Sequence, residues 1–236
     1  MNGFYYPEII DASFRELINF SKWLNRFHGH YPSIVGGWAV WAYTKGLGSR
    51  DIDVVFPDSK TMHSVLLNYF NRNGFERARG MFAENYVKKI RFNGKIDEIF
   101  VDACTQKNIC ISEHFDVRIP WNLVAKNNEL FKLEKDAFIY IPVKELLLTQ
   151  KIKALLDRSK TLALQPESAY YQAKVWKDKR DILSLLKLDL DENKLSKFLK
   201  ESKLKQYITQ AKEKLETAKE LIKELKVTNE DLNKLI

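Results

Sequence analysis

The chain has 236 residues, 45% of them hydrophobic and 30% charged, the composition of a globular protein with one large or two small domains. No run of about 18 uncharged apolar residues exists, which argues against a membrane-spanning helix. No secretory signal is read at the start, and two cysteines, Cys104 and Cys110, are too few for a disulfide framework or a zinc site. The expected setting is cytoplasmic, with no membrane partner.

Net charge is +8, yet residues 189–236 carry 11 Lys against 10 acidic residues, so nearly all the excess lies before them. It concentrates in Arg72–Lys95 and Lys144–Arg180, a distribution suited to phosphates on a nucleotide or a nucleic acid.

Residues 11–27 place Phe14, Leu17, Ile18, Phe20, Leu24 and Phe27 at helical spacing and predict an amphipathic helix. PSIVGG then reads as a short apolar strand ending in two glycines, and WAVWAYTKG as a helix closed by Gly46. DIDVVFPD is a β-branched strand stopped by Pro57, and residues 61–74 form a helix punctuated by Gly74. NYVKKIRF and KIDEIFVDAC flank Asn93-Gly94, a strong hairpin signal. Further β-like stretches surround Ile109–Ile119 and Ala137–Ile141. After Pro142 the pattern turns helical, with a loop at Leu162–Ser168 and a helix from about Tyr170 to Leu188.

In the tail, Leu204, Ile208, Ala211, Leu215, Ala218, Ile222 and Leu225 form a heptad seam on one expected helix. Thr228 with Asp231 resembles a capping box for a short final helix. Packing of the seam within a monomer is the expectation, with a dimer through this helix as the alternative. The boundary near Pro142 gives two domains, 1–141 and 142–236. The fold class expected is α+β, a mixed sheet flanked by helices and followed by a helical domain.

Asp51 and Asp53 lie two apart on a predicted strand, so both side chains point to one face. Two such carboxylates repel unless cations compensate them, and Mg²⁺ takes hard oxygen ligands while keeping positions for substrate phosphate. Gly36-Gly37 follow a strand and open a helix, where backbone N–H groups can approach an anion. Ser49 could add a hydroxyl and Arg50 a cation near the same phosphates. Asp102, inside the apolar run IFVDAC, is the preferred third carboxylate because an acid there needs a partner; Asp97, nearer the hairpin turn, is its competitor. Lys151, Lys153 and Arg158 read on their own as one solvated helix face. Lys177, Asp178, Arg180 and Asp181 read as a salt-bridged surface.

The segment GGWAVWAYTKGLGSRDIDVVF resembles the glycine-glycine, helix, D-x-D signature of the nucleotidyltransferase fold in the DNA polymerase β superfamily. It is similar to AbiEii-type toxin nucleotidyltransferases and to small antibiotic adenylyltransferases. IPVKELLLTQKIKALLDR and KDKRDILSLL resemble the paired helical motifs that follow the catalytic domain of those proteins, and the matching pieces span roughly residues 33–187 with gaps. The resemblance implies a nucleotidyltransferase-type mixed sheet, Asp51 and Asp53 as the metal-binding pair and Asp102 as the third carboxylate. It makes Gly36 and Gly37 the phosphate-facing turn and Lys151 a triphosphate-contacting base. Lys177 and Asp178 become the K-D of the later motif, and Arg158 the arginine closing the earlier one. The implied activity is Mg²⁺- or Mn²⁺-dependent transfer of a nucleoside monophosphate from a nucleoside triphosphate to a hydroxyl. That hydroxyl would belong to an RNA end such as a tRNA, a protein side chain or a small molecule. Antibiotic-modifying relatives often carry a histidine just before the D-x-D, where this chain has Ser49-Arg50. The alternatives are a non-catalytic nucleotide- or nucleic-acid-binding module, or the toxin of a pair with an antitoxin partner.

Overall fold

The structure, a computed structural model, describes residues 5–78 and 84–235. Contacts within the chain divide it into two units, Met1–Ile109 with Pro120–Pro142 and Cys110–Ile119 with Val143–Ile236.

In the first unit, α1 (Pro7–His28) starts ahead of the expected helix because Pro7 occupies its first turn, where the missing N–H has no helical partner to lose. Then come β1 (Ser33–Val35), α2 (Gly36–Thr44), β2 (Asp51–Phe56) and α3 (Ser59–Val65). A π-helical turn over Leu66–Phe70 and a 3₁₀ turn over Asn71–Asn73 continue α3 to Gly74, whose φ of 80° ends it. α2 takes in both glycines and is closed by Lys45 at φ 52°, not by Gly46. β3 (Glu76–Ala78), β4 (Glu84–Phe92) and β5 (Lys95–Thr105) follow. Asn93 and Gly94, at φ 48° and 75°, turn the β4–β5 hairpin in the way two positive φ values require. After β6 (Ile109–Ile111) and β7 (Arg118–Pro120), which pair with each other, come α4 (Asn122–Lys126), β8 (Asn128–Glu134) and β9 (Ala137–Pro142). Sequence periodicity did not mark β3, α4 or β8.

Among the described residues, the strands form a mixed seven-stranded sheet in the order β3-β4-β5-β2-β1-β9-β8. β2 and β5 are parallel, as are β1 and β9; the other pairs are antiparallel. One face carries Ile52, Val54, Ile99, Val101, Ala103, Ile139 and Ile141, all buried. α1 lies over it: buried Glu16 accepts from Lys88 Nζ on β4 at 3.0 Å and from Tyr69 Oη at 2.8 Å. Burial and the charge of Glu16 push the Tyr69 phenol far above its ordinary value.

The second unit contains α5 (Lys144–Leu164), α6 (Ala169–Leu186), α7 (Glu192–Glu201), a 3₁₀ turn (Leu204–Tyr207), α8 (Ile208–Glu216), α9 (Lys219–Leu225) and α10 (Asn229–Asn233). α5 runs through Leu164, so the expected loop begins later. Thr228 and Asp231 form the reciprocal capping box at α10. The single heptad helix is not observed. Ala218, at φ −89° and ψ 50°, breaks it between α8 and α9; Leu204, Ile208, Ala211 and Leu215 are buried before the break, and burial passes to Leu221 after it. Cys110–Ile119, expected with the sheet, groups instead with the helices. Phe115 packs its ring 5.0 Å from Tyr207, Arg118 N–H donates to the Ser202 carbonyl at 3.2 Å, and Lys203 pairs with Asp116 at 2.8 Å. No helix among the described residues is long and apolar enough to cross a membrane.

Candidate active site

β2 alternates strictly at its start. Ile52 and Val54 are buried, while Asp51 and Asp53 are half-buried on the opposite face. β5 alternates the same way, with Ile99, Val101 and Ala103 buried and Phe100, Asp102 and Cys104 on the other side. The parallel register of β2 and β5 sets Asp51 beside Phe100 and Asp53 beside Asp102, so all three carboxylates occupy one sheet face. Antiparallel pairing adds Asn85 of β4 beside Asp102, a neighbour that counting back from Asn93-Gly94 would have found.

β1 delivers the glycines to the same place. Val35 pairs with Asp53, and Gly36 follows at φ 67°. A Cβ at Gly36 would fall 1.9 Å from Asp53 Oδ2 and 2.7 Å from its Cγ, so the carboxylate rests against the glycine backbone and no side chain fits. α2 has no side-chain N-cap. Its first N–H groups and positive dipole end therefore stand at this turn. Gly37 is buried at the second helical position.

Ser49 is buried, and its Oγ accepts from the Asp51 N–H at 3.3 Å, fixing the entry into β2. Arg50 donates through Nη2 to Asp97 Oδ1 at 2.9 Å and to the Glu98 carbonyl at 2.7 Å. Its Nε stands 4.0 Å from Asp51 Oδ1, and its guanidinium lies 5.1 Å from the Phe100 ring centroid. The two candidates for third carboxylate thus part company: Asp97 goes to Arg50, Asp102 to the row of Asp53.

Two adjacent carboxylates in register repel. A hard divalent cation is the natural compensation, because Mg²⁺ binds one or two carboxylates and completes its shell with water and substrate phosphate. Among the described residues no group of three or more His, Cys, Asp or Glu side chains is placed to hold a metal ion. Asp51, Asp53 and Asp102 share one sheet face with the glycine turn beside them. Of the basic stretch Arg72–Lys95, residues 79–83 lie outside the described residues. Within the rest, Arg77 pairs with Glu84 and Lys88 with Glu16, while Lys89 and Arg91 fall on the carboxylate face by register.

Lys151, Arg158, Lys177 and Asp178 belong to the second unit, where ion pairs link them to one another and to Asp181. Lys151 Nζ lies 2.7 Å from Asp181 and 3.7 Å from Asp178. Lys177 Nζ meets Asp181 at 2.9 Å, and Arg158 Nη1 meets both oxygens of Asp178 at 2.9 and 2.7 Å. This is a buried charge network joining α5 to α6, neither a solvated face nor a row of open cations. Burial opposes the charge on Lys151, but Asp181 and Asp178 hold its pKa above the ordinary lysine value. Burial likewise opposes the charge on Asp181, and Lys151 and Lys177 overcome it, leaving that carboxyl below its ordinary range. For Lys177 burial wins and the pKa falls. Sequence spacing missed the central place of Asp181, because only tertiary packing brings Lys151 to it. No protein-family model matches the chain, and no curated protein matches it significantly.

Proposed function

We propose that the first unit is a Mg²⁺-dependent nucleotidyltransferase of the DNA polymerase β type, moving a nucleoside monophosphate from a nucleoside triphosphate to a hydroxyl. The observation that supports this reading most is the row Val35-Asp53-Asp102 with Gly36 packed against the Asp53 carboxylate. It puts an anion-receiving helix start and a like-charged carboxylate pair side by side.

Asp51, Asp53 and Asp102 would hold the metal, which when bound neutralises phosphate charge and polarises the α-phosphorus. The N–H groups that open α2 receive phosphate oxygens. Asp53, fixed by contact with Gly36, orients the triphosphate relative to that turn. Asp102 accepts the proton as the acceptor oxygen bonds to the α-phosphorus. The bond from that phosphorus to the bridging oxygen breaks, and pyrophosphate leaves with the electron pair. Arg50 and Ser49 position the strand that carries Asp51 and Asp53.

The test incubates the full chain with α-labelled nucleoside triphosphates, Mg²⁺ and separate pools of RNA, protein and small-molecule hydroxyls. Label is expected in one pool, and Asp53→Asn should reduce transfer at least a hundredfold while thermal unfolding stays unchanged. Full activity of Asp53→Asn would refute the reading. Loss of activity in Asp97→Asn but not in Asp102→Asn would move the third carboxylate to Asp97.

A further inference from the structure

A cavity opens at the C-terminal end of β2, beyond the row of Asp51 and Asp53. Val55 is two residues further along β2, about 7 Å away at strand spacing, and therefore on the same face. Ser33 pairs with both Val55 and Tyr140, which brings Tyr140 to this face as well. Ser33, Val55 and Tyr140 of that face and Val54 and Phe56 of the other line this cavity of about 360 Å³ at the strand ends, within the size range of small-molecule sites, about 300–1,000 Å³.

Its chemistry is selective. Among the described residues lining it there is no Asp, Glu, Lys or Arg, so nothing there compensates a phosphate or any other full charge. Asn128 Nδ2 donates to the Val124 and Ala125 carbonyls, each at 3.0 Å, which leaves Oδ1 as the acceptor at the wall. The Gln106 N–H donates to the Phe56 carbonyl at 2.9 Å, anchoring the backbone that carries a second side-chain amide. Tyr31 is held by its ring contact with Phe138, 5.1 Å between centroids. The Gln106 and Asn128 amides and the Ser33 hydroxyl supply donors and acceptors, and Tyr31, Tyr140 and His30 supply aromatic surface. That combination reads the edge and the face of an unpaired base.

We propose that this cavity binds an uncharged planar heterocycle, the base of a nucleoside, at the C-terminal end of the strand that carries Asp53. The proposal deepens the nucleotidyltransferase reading by giving its site a base-holding pocket, yet binding there needs neither metal nor turnover, so the two can fail separately. The base could come from the nucleotide donor or from a nucleoside acceptor.

The test titrates the full chain, without divalent metal, with adenosine, guanosine, cytidine and uridine by calorimetry and ligand-observed NMR. Saturable binding of at least one is expected. Asn128→Ala should weaken it about tenfold, the loss of one hydrogen bond to a base edge. Ala125→Trp, at an exposed position on the rim, should block the cavity and abolish binding with an unchanged melting temperature. A non-hydrolysable triphosphate with Mg²⁺ then separates the sources: competition assigns the pocket to the donor base, and simultaneous binding assigns it to the acceptor. Absence of binding by all four nucleosides, or binding that survives Ala125→Trp, would overturn the proposal.

Discussion

On the sheet, Asp53 and Asp102 stand in register as like charges; in the helical unit, Asp178 faces Arg158 and Lys151, and Asp181 faces Lys151 and Lys177. The helical cluster is internally compensated, and its role is to lock α5 to α6. The sheet row instead sets two acidic side chains in register beside the start of α2, the arrangement on which the proposed metal site rests. Acidic residues thus serve as ion-pair partners in one unit and, in the proposed reading, as metal ligands in the other.

The largest effect is expected from removing one partner of the compensated cluster. Asp181→Ala leaves Lys151 and Lys177 buried without their shared carboxylate and should cost about 3–5 kcal/mol in chemical denaturation. The same carboxylate sets a pH dependence. Because its folded pKa lies below the ordinary 3.8, its contribution is complete above that value and is lost as the pH falls through the depressed one. Wild type should show this acid-limb loss and Asp181→Ala should not. Equal acid limbs would place the stabilisation elsewhere.

Gly36→Ala comes next. Its φ of 67° alone costs about 1–3 kcal/mol for a residue with a side chain, and the new Cβ must displace Asp53. Transfer should fall with stability here, whereas Asp53→Asn separates the two; an active Gly36→Ala would break the proposed link between turn and carboxylate. The smallest effect on stability is expected from Asp102→Asn, which keeps the side chain's shape: transfer should fall while stability without metal changes by less than about 0.5 kcal/mol. Undiminished transfer would return the third-carboxylate role to Asp97.

The sheet site was legible because alternation and hairpin counting are local rules. Asp51 and Asp53 share a face by period alone, and Asn93-Gly94 fixes which β4 residue meets Asp102. The proximity of Asp53 to Asp102 depends on the parallel β2–β5 pairing, which no local rule supplies. The pairing of Arg50 with Asp97 was out of reach for the same reason: the two lie 47 residues apart. The helical network looked like surface because a helix shows its own spacing and not its neighbour. The heptad seam failed at Ala218, where seven regular positions concealed a backbone break.

The excursion of Cys110–Ile119 has a consequence for how the protein is made. The chain leaves the sheet unit, supplies Val117 and Ile119, both buried, to the helical unit, and returns to build α4, β8 and β9 before the long helices are synthesised. On the ribosome those ten residues emerge ahead of every helix that will cover them. A fragment ending at Pro142 would therefore display an uncovered apolar strand in an otherwise completed sheet unit, a ready template for edge pairing between copies.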